Sequence, residues 1–418
     1  MRAEIIAVGS ELLTPDKTDT NSLFITERLN EAGFDVHRKT VIGDNEEDLA
    51  NLIGEALSRS VLIVISGGLG PTEDDVTRQA VSRVLQKPLV INGEVLEEIR
   101  GRFASRGIAM PEINTRQAQV LQGAEVLANP RGTAPGMWIE EKAARIVLLP
   151  GPPRELQAMF LASVTPRLSS LHSGRQMARR TVSIVGLSES EVDSRVSPIY
   201  TTYPGIATTI LASCAQITLN LTRWLMPGET AGEVDELTRR IAEALGDTVY
   251  STSGETLEEV AGRLLRDSGK SLAVAESCTS GAVATRITRI PGSSDYFLGG
   301  VLCYANEVKE RICGVPASLI ERYGAVSAEV AEALAQGVRR VTNSSIGLSV
   351  TGIAGPGGGS TEKPVGLVYF GLADARRSSH ERRIIPGDRE AVRERAATYA
   401  LASLRRFLLS ECRRRAKP

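Results

Sequence analysis

The chain is 418 residues long, and its 42% hydrophobic content is ample for the cores of two or three ordinary domains. Its 49 lysines and arginines nearly cancel its 50 aspartates and glutamates, a balance that argues against direct nucleic-acid binding or attraction to a membrane surface. No apolar run approaches the roughly 20 residues of a membrane helix, Met1-Arg2-Ala3-Glu4 leads straight into a strand-like run without a signal peptide, and five cysteines at no paired spacing with three scattered histidines fit neither a disulfide framework nor a zinc site; a cytoplasmic protein is expected.

Short buried-strand runs at Ile5-Ile6-Ala7-Val8, Val61 to Ile65 and Ile146 to Leu149 each lead into a glycine-containing turn. Between the first two, Leu49, Leu52, Ile53, Ala56 and Leu57 hold helical spacing behind Asn45, placed as the cap. This repetition predicts a parallel α/β sheet over residues 1–172, with ligands at the carboxyl ends of its strands. The texture changes near Gly174. Arg180 to Gly186, Thr208 to Leu211 and Gln216 to Thr222 read as strands and Val234 to Leu245 as a lone amphipathic helix, predicting a small α+β module over 173–252. A capping box, Thr256 with Glu259, opens a second α/β domain over 253–418, with strand runs at Leu272–Val274, Gly300–Leu302, Ile346–Val350 and Leu367–Phe370. The expected fold is two parallel-sheet α/β domains joined by a small α+β module. The run Arg413-Arg414-Arg415-Ala416-Lys417 reads as a solvated tail.

In the first domain, Ser66-Gly67-Gly68-Leu69-Gly70-Pro71-Thr72-Glu73-Asp74-Asp75 follows a buried strand. Gly67, Gly68 and Gly70 would let backbone N–H groups approach a phosphate, and Asp74 and Asp75 beside them suit a divalent cation bridging phosphate oxygens. Asp44 and Glu11 end other strands and could reach the same place. A plain glycine turn with acidic helix-capping residues explains the same pattern.

In the last domain, Ala275-Glu276-Ser277-Cys278-Thr279-Ser280-Gly281 joins a strand to a helical pattern. That geometry lifts a hydroxyl or thiol to the mouth of a parallel sheet, beside the positive end of a helix. Taken alone, these residues read first as a Ser/Thr helix cap, and Ser277, Cys278, Thr279 and Ser280 cannot all be nucleophiles. With histidines scarce, a serine would need another base. Lys309 could serve if burial lowered its pKa, with Tyr304 orienting it or relaying its proton. The glycine-rich turn after Thr351 offers backbone donors for an oxyanion or a phosphate. Taken singly, Lys309 is also an ordinary surface lysine and Tyr304 a core-edge aromatic.

The first domain resembles the molybdopterin-binding, MoaB/MogA-like fold through its Gly-Gly-x-Gly turn followed by Asp75, with Asp44 at the position of the family's other acidic residue. The turn Leu149-Pro150-Gly151-Pro152-Pro153 with Arg154-Glu155-Leu156 resembles the CinA branch specifically, whereas Thr14 to Asn21 departs from the usual pattern. Residues 253–410 resemble the CinA C-terminal domain, a nicotinamide-nucleotide amidase family, through Ala275–Gly281, Tyr304–Lys309, Gly324–Ser327, Thr351–Gly358, Lys363–Gly366 and Pro386–Arg389. The middle module resembles a KH-type fold without a Gly-x-x-Gly clamp loop, so it reads as a linker.

The resemblance implies hydrolysis of nicotinamide mononucleotide to nicotinic acid mononucleotide and ammonia, with Ser277 as nucleophile, Lys309 as base and Tyr304 assisting. Glu276, Thr279, Ser280, Gly281, Thr351, Gly352 and Arg389 would contact the substrate, Ser280 standing where a glycine is often found. No cofactor is implied for this half. For the first domain it implies cleavage of ADP-ribose, with Gly67, Gly68 and Gly70 on the nucleotide and Asp44, Asp74 and Asp75 on Mg, Mn or Co. A homodimer is implied. The competing reading is a catalytically silent binding module acting in competence or the DNA-damage response.

Overall fold

The computed structural model describes residues 1–171 and 174–415, with side chains to Ser410. The expected domain boundary at 172/173 and the Ala416-Lys417 end of the basic tail lie outside the described residues. The chain divides into two compact units, Met1–Met177 with Trp224–Glu229, and Ala178–Arg223 with Thr230–Pro418.

The first unit is built on a six-stranded sheet of β1 (Arg2–Val8), β2 (Asp35–Ile42), β3 (Leu62–Ser66), β6 (Glu125–Leu127), β7 (Gly136–Glu141) and β8 (Ala144–Leu149), beside a two-stranded ribbon of β4 (Leu89–Ile91) and β5 (Gln119–Leu121). The order is β2-β1-β3-β8-β7-β6. β1 pairs in parallel with β2 and β3, and β3 with β8. Six consecutive residues of β1 and all five of β3 are buried, as a strand covered on both faces requires. Ile6, Val8, Ile63 and Ile65 join one core, and Ala3, Ile5, Leu62 and Val64 the other. Asn45 caps the helix Glu46–Arg59 by accepting from Glu47 and Asp48 N–H, as its spacing predicts.

The second unit holds two sheets. The four-stranded one, ordered β10-β11-β9-β12, is made of β9 (Gln176–Val185), β10 (Ala207–Ser213), β11 (Gln216–Leu225) and β12 (Val249–Ser251). The predicted lone helix has a companion, Glu189–Tyr200, opened by a capping box of Ser188 and Glu191. The five-stranded sheet is ordered β14-β13-β15-β16-β17, from β13 (Leu272–Glu276), β14 (Phe297–Leu302), β15 (Ile346–Gly352), β16 (Leu367–Ala373) and β17 (Ser378–Ile384). Leu272, Val274, Leu348 and Val350 face a core closed by the C-terminal helix Arg389–Arg415, and Ala273 and Ala275 face the other, with Val330 and Leu334. Arg405 of that helix donates to the Asp247 and Val249 carbonyls at 2.8 and 2.6 Å, tying the smaller sheet's last segment to the larger domain.

Both large sheets are α/β with a parallel centre, yet neither is wholly parallel. β7 pairs antiparallel with β8 and β6 with β7, and β16 pairs antiparallel with β15 and β17 with β16. No helix of the described residues is long and apolar enough to cross a membrane.

Candidate functional site

In the second unit, three strand ends meet. β13 lies between β14 and β15, with Glu276 level with Leu302 on one side and Val350 on the other. Ser277 N–H donates to the Val350 carbonyl at 2.9 Å and Cys303 N–H to the Glu276 carbonyl at 2.8 Å, so Ser277, Cys303 and Thr351 emerge side by side. The turn is tight: Ser280 N–H and Oγ both donate to the Ser277 carbonyl, at 3.2 and 3.1 Å. Ser280 has φ 49° and Gly281 φ 93°. Two successive left-handed residues explain why a glycine suits position 280, and why a serine there carries some strain.

Glu276 is not a substrate contact. It is 1% exposed, and its carboxylate accepts from the N–H groups of Gly281, Val283 and Ala284 at 2.9, 3.1 and 2.8 Å. The positive end of the helix Ala282–Thr288 is therefore filled by the chain's own anion and is not open to a phosphate or an oxyanion. Thr279 is fully buried and Thr351, 1% exposed, donates its hydroxyl to the Ala325 carbonyl at 2.8 Å; neither side chain faces outward. A Cβ on Gly352 would sit 2.7 Å from Val368 and 3.1 Å from the Cys278 sulfur, so packing alone demands glycine there. Cys278 is buried, and desolvation pushes its thiol up to about 12, far from thiolate chemistry at neutral pH.

What remains is Ser277, whose Oγ has no hydrogen-bond partner among the described residues, together with Lys309. The lysine sits on the short helix Asn306–Arg311, 1% exposed, and burial lowers its pKa. Its Nζ donates to the Cys303 and Tyr304 carbonyls, both at 2.8 Å, and no carboxylate pairs with it among the described residues. The expected link from the Tyr304 hydroxyl to Lys309 is absent. Tyr304 is 62% exposed, and its hydroxyl accepts from Arg389 at 3.2 Å, while Arg389 also donates to the Gly355 carbonyl at 2.7 Å. Lys363, quoted in the sequence only as part of a motif, donates to the Tyr323 and Val326 carbonyls at 2.5 and 2.9 Å and clamps the turn that Thr351 also holds.

In the first unit, Gly67, Gly68, Gly70, Asp44, Asp74 and Asp75 line one cleft of about 300 Å³ with Glu11 and Glu155. The glycine turn, however, serves itself. Gly67 N–H donates to the Leu149 carbonyl at 2.9 Å, and a Cβ there would lie 2.1 Å from the Val8 carbonyl oxygen. Gly68 has φ 65° and packs on Thr77. Asp75 accepts from Gly70 N–H at 2.6 Å, Thr72 N–H at 2.9 Å and the Thr72 hydroxyl at 2.6 Å. The cradle expected from Gly67 and Gly70 is thus spent on the fold, and Asp75 is a turn staple. Beneath it the buried Arg78, invisible in the motif, donates to the Leu69 and Gly70 carbonyls at 2.8 and 2.6 Å, its pKa pushed down to about 10 by desolvation. Asp44 accepts from Ser10 N–H at 2.7 Å, and Asp74 is held low by Thr72. Among the described residues no three His, Cys, Asp or Glu side chains assemble as a metal site. A hard cation here would rest on one or two carboxylates and take its remaining oxygens from water and substrate, as magnesium does.

Comparisons with known proteins bear on both units. The family model described as "CinA C-terminal domain" matches residues 254–408, and that described as "Probable molybdopterin binding domain" matches residues 4–170. A CinA-like protein of Koribacter versatilis is 45% identical over 98% of this chain and 100% of its own length. The chain belongs to the CinA-like proteins. Another member, from Acidobacterium capsulatum, is 46% identical over the same shares of both chains. A crystal structure of the competence damage-inducible protein A of Klebsiella pneumoniae is 29% identical, covering 37% of this chain and 98% of that one with a TM-score of 0.36.

Proposed function

We propose that the second unit is a serine amidohydrolase that removes ammonia from nicotinamide mononucleotide. The observation that carries this reading is that Ser277, an uncommitted hydroxyl, emerges beside Cys303, whose carbonyl holds Lys309, a buried lysine that has no carboxylate partner among the described residues and is pushed toward its neutral form. Neutral Lys309 accepts the Ser277 proton as Oγ attacks the carboxamide carbon. The C–N bond breaks, the nitrogen leaves as ammonia carrying that proton, and water hydrolyses the acyl ester to restore Ser277. The exposed Tyr304–Arg389 pair is the natural grip for the nucleotide phosphate, since a guanidinium meets phosphate oxygens in a fork. Ammonia release from nicotinamide mononucleotide, measured for the chain and for Ser277→Ala, tests the proposal; an active Ser277→Ala variant would overturn it.

For the first unit we propose metal-dependent cleavage of ADP-ribose, with Asp44 and Asp74, not Asp75, toward a divalent cation (Mg, Mn or Co) that would neutralise the pyrophosphate charge. The self-satisfied glycine turn favours a second reading for this unit, a silent binding module of the kind suggested by a full-length relative named "Putative competence-damage inducible protein". AMP production from ADP-ribose with added metal separates the two. A homodimer is part of the proposal, and sedimentation of the full chain tests it.

A further inference from the structure

A cavity of about 630 Å³ lies within the second unit, bounded by the tip of the β10–β11 hairpin, the start of the helix Ala282–Thr288 and the helix Arg389–Arg415. Ser277, Lys309, Tyr304 and Arg389 do not line it, and it meets the turn of the strand-end site at Ser280 and Gly281. Its charge is lopsided: Arg286, Arg289 and Arg393 against a single carboxylate, Glu394. Arg286 is committed to Glu258 and Thr398. Arg289 is exposed and has no partner among the described residues. Among the described residues Arg393 donates to the Thr279 carbonyl, at 3.4 Å, and its buried Nε has no acceptor. Two arginines without a carboxylate partner among the described residues, lining one cleft, suit a ligand with several anionic oxygens.

The roof of the cavity is built with equal purpose. The hairpin turns through Cys214 at φ 47° and Ala215 at φ 63°, two non-glycine residues in the left-handed region. Such a turn matches the hairpin twist but is costly without glycine, and persists where its surroundings hold it. Here the Cys214 thiol donates to Glu394 at 3.4 Å, fixing the tip over the C-terminal helix.

We propose that this cavity binds a small phosphate-bearing molecule of nucleotide size, its phosphate oxygens on Arg289 and Arg393. The volume is of nucleotide size, and the chain's near-neutral balance offers no wider basic track for a strand. Because Arg393 holds the Thr279 carbonyl and Ser280 holds that of Ser277, the ligand would press on the turn that carries the nucleophile.

The test uses the full chain carrying Cys412→Ser and follows alkylation of Cys214 by iodoacetamide, Cys278, Cys303 and Cys313 being buried. AMP is expected to slow alkylation and to give a measurable heat of binding. Arg289→Glu, at an exposed residue whose loss leaves folding intact, and Arg393→Gln should each weaken AMP by about tenfold or more, whereas Arg389→Ala should leave protection unchanged. Absence of protection by AMP overturns the proposal, as does protection that survives Arg289→Glu. Equal protection by pyrophosphate overturns nucleotide size, and stronger protection by a single-stranded oligonucleotide makes the ligand a nucleic acid instead.

Discussion

The two glycine-bearing turns, Ser66–Thr77 in the first unit and Glu276–Gly281 in the second, look alike in sequence and differ in what they leave free. Each follows a fully buried parallel strand, and each carries an acidic residue beside its glycines. In both, that acid is turned inward onto backbone N–H groups: Asp75 onto Gly70 and Thr72, Glu276 onto Gly281, Val283 and Ala284. A sharp turn at the end of a buried strand exposes several donors at once, and a nearby carboxylate is the cheapest acceptor. What differs is the remainder. The second turn leaves a hydroxyl at the strand end next to the one whose carbonyl holds a buried lysine, whereas the first leaves carboxylates over a buried arginine. Chemistry falls to the group the turn does not need.

The largest effect expected from this contrast is at Ser277 and Lys309. Ser277→Ala should lower ammonia release by about 10³-fold or more while thermal unfolding stays unchanged. Lys309→Met should do the same. In the wild-type protein the rate should rise with pH through the lowered lysine pKa, below its ordinary 10.5, because only the neutral amine accepts the proton. Linkage gives stability the same sign: between the lowered folded value and 10.5 the unfolded chain binds the extra proton, so this lysine's contribution to stability rises with pH across that window. A rate that is flat with pH there would remove Lys309 from the base role.

Next in size are the two inward carboxylates. Glu276→Gln and Asp75→Asn should each destabilise their own unit by about 1–3 kcal/mol, since an amide nitrogen would face backbone donors. Denaturant melts followed by unit-specific probes check this. Should Asp75→Asn keep its stability yet lose metal-dependent AMP production, Asp75 would be a ligand after all and the parallel between the turns would break. Asp44→Asn and Asp74→Asn should instead leave stability nearly untouched and lower that activity about tenfold or more.

The contrast also shows which features a sequence can display. Strand–turn–helix order was legible from short apolar runs and glycines, as were the caps at Asn45 and Thr256, because these signals are local. The antiparallel additions β6 and β17 were not, since short or half-exposed strands carry little periodicity. Nor was the helix Glu189–Tyr200, although Ser188 and Glu191 form the same capping box that marked Thr256. At the site, Ser277 and Lys309 could be nominated from residue type. That Glu276, Thr351 and Asp75 face inward could not, because a side chain's partner across a turn is a tertiary fact. Arg78 and the cluster of Arg289 and Arg393 escaped for the same reason: each looks like a surface arginine until its neighbours are known.

The smallest expected effect is also the sharpest test of which group in the second turn is free. Cys278 sits next to Ser277 and is intrinsically the better nucleophile, but only as a thiolate. Its sulfur is packed against Gly352, and its thiol is pushed up to about 12, so a negligible fraction ionises at neutral pH. Cys278→Ala removes a buried sulfur and no hydrogen bond on which the turn depends, so ammonia release should change by less than about threefold, with a stability loss of about 1 kcal/mol from the small void. If instead Cys278→Ala matches Ser277→Ala in severity while its melting curve holds, the thiol must become exposed and ionised during turnover. The turn would then open in the course of the reaction, and the free group would be the one the closed turn hides.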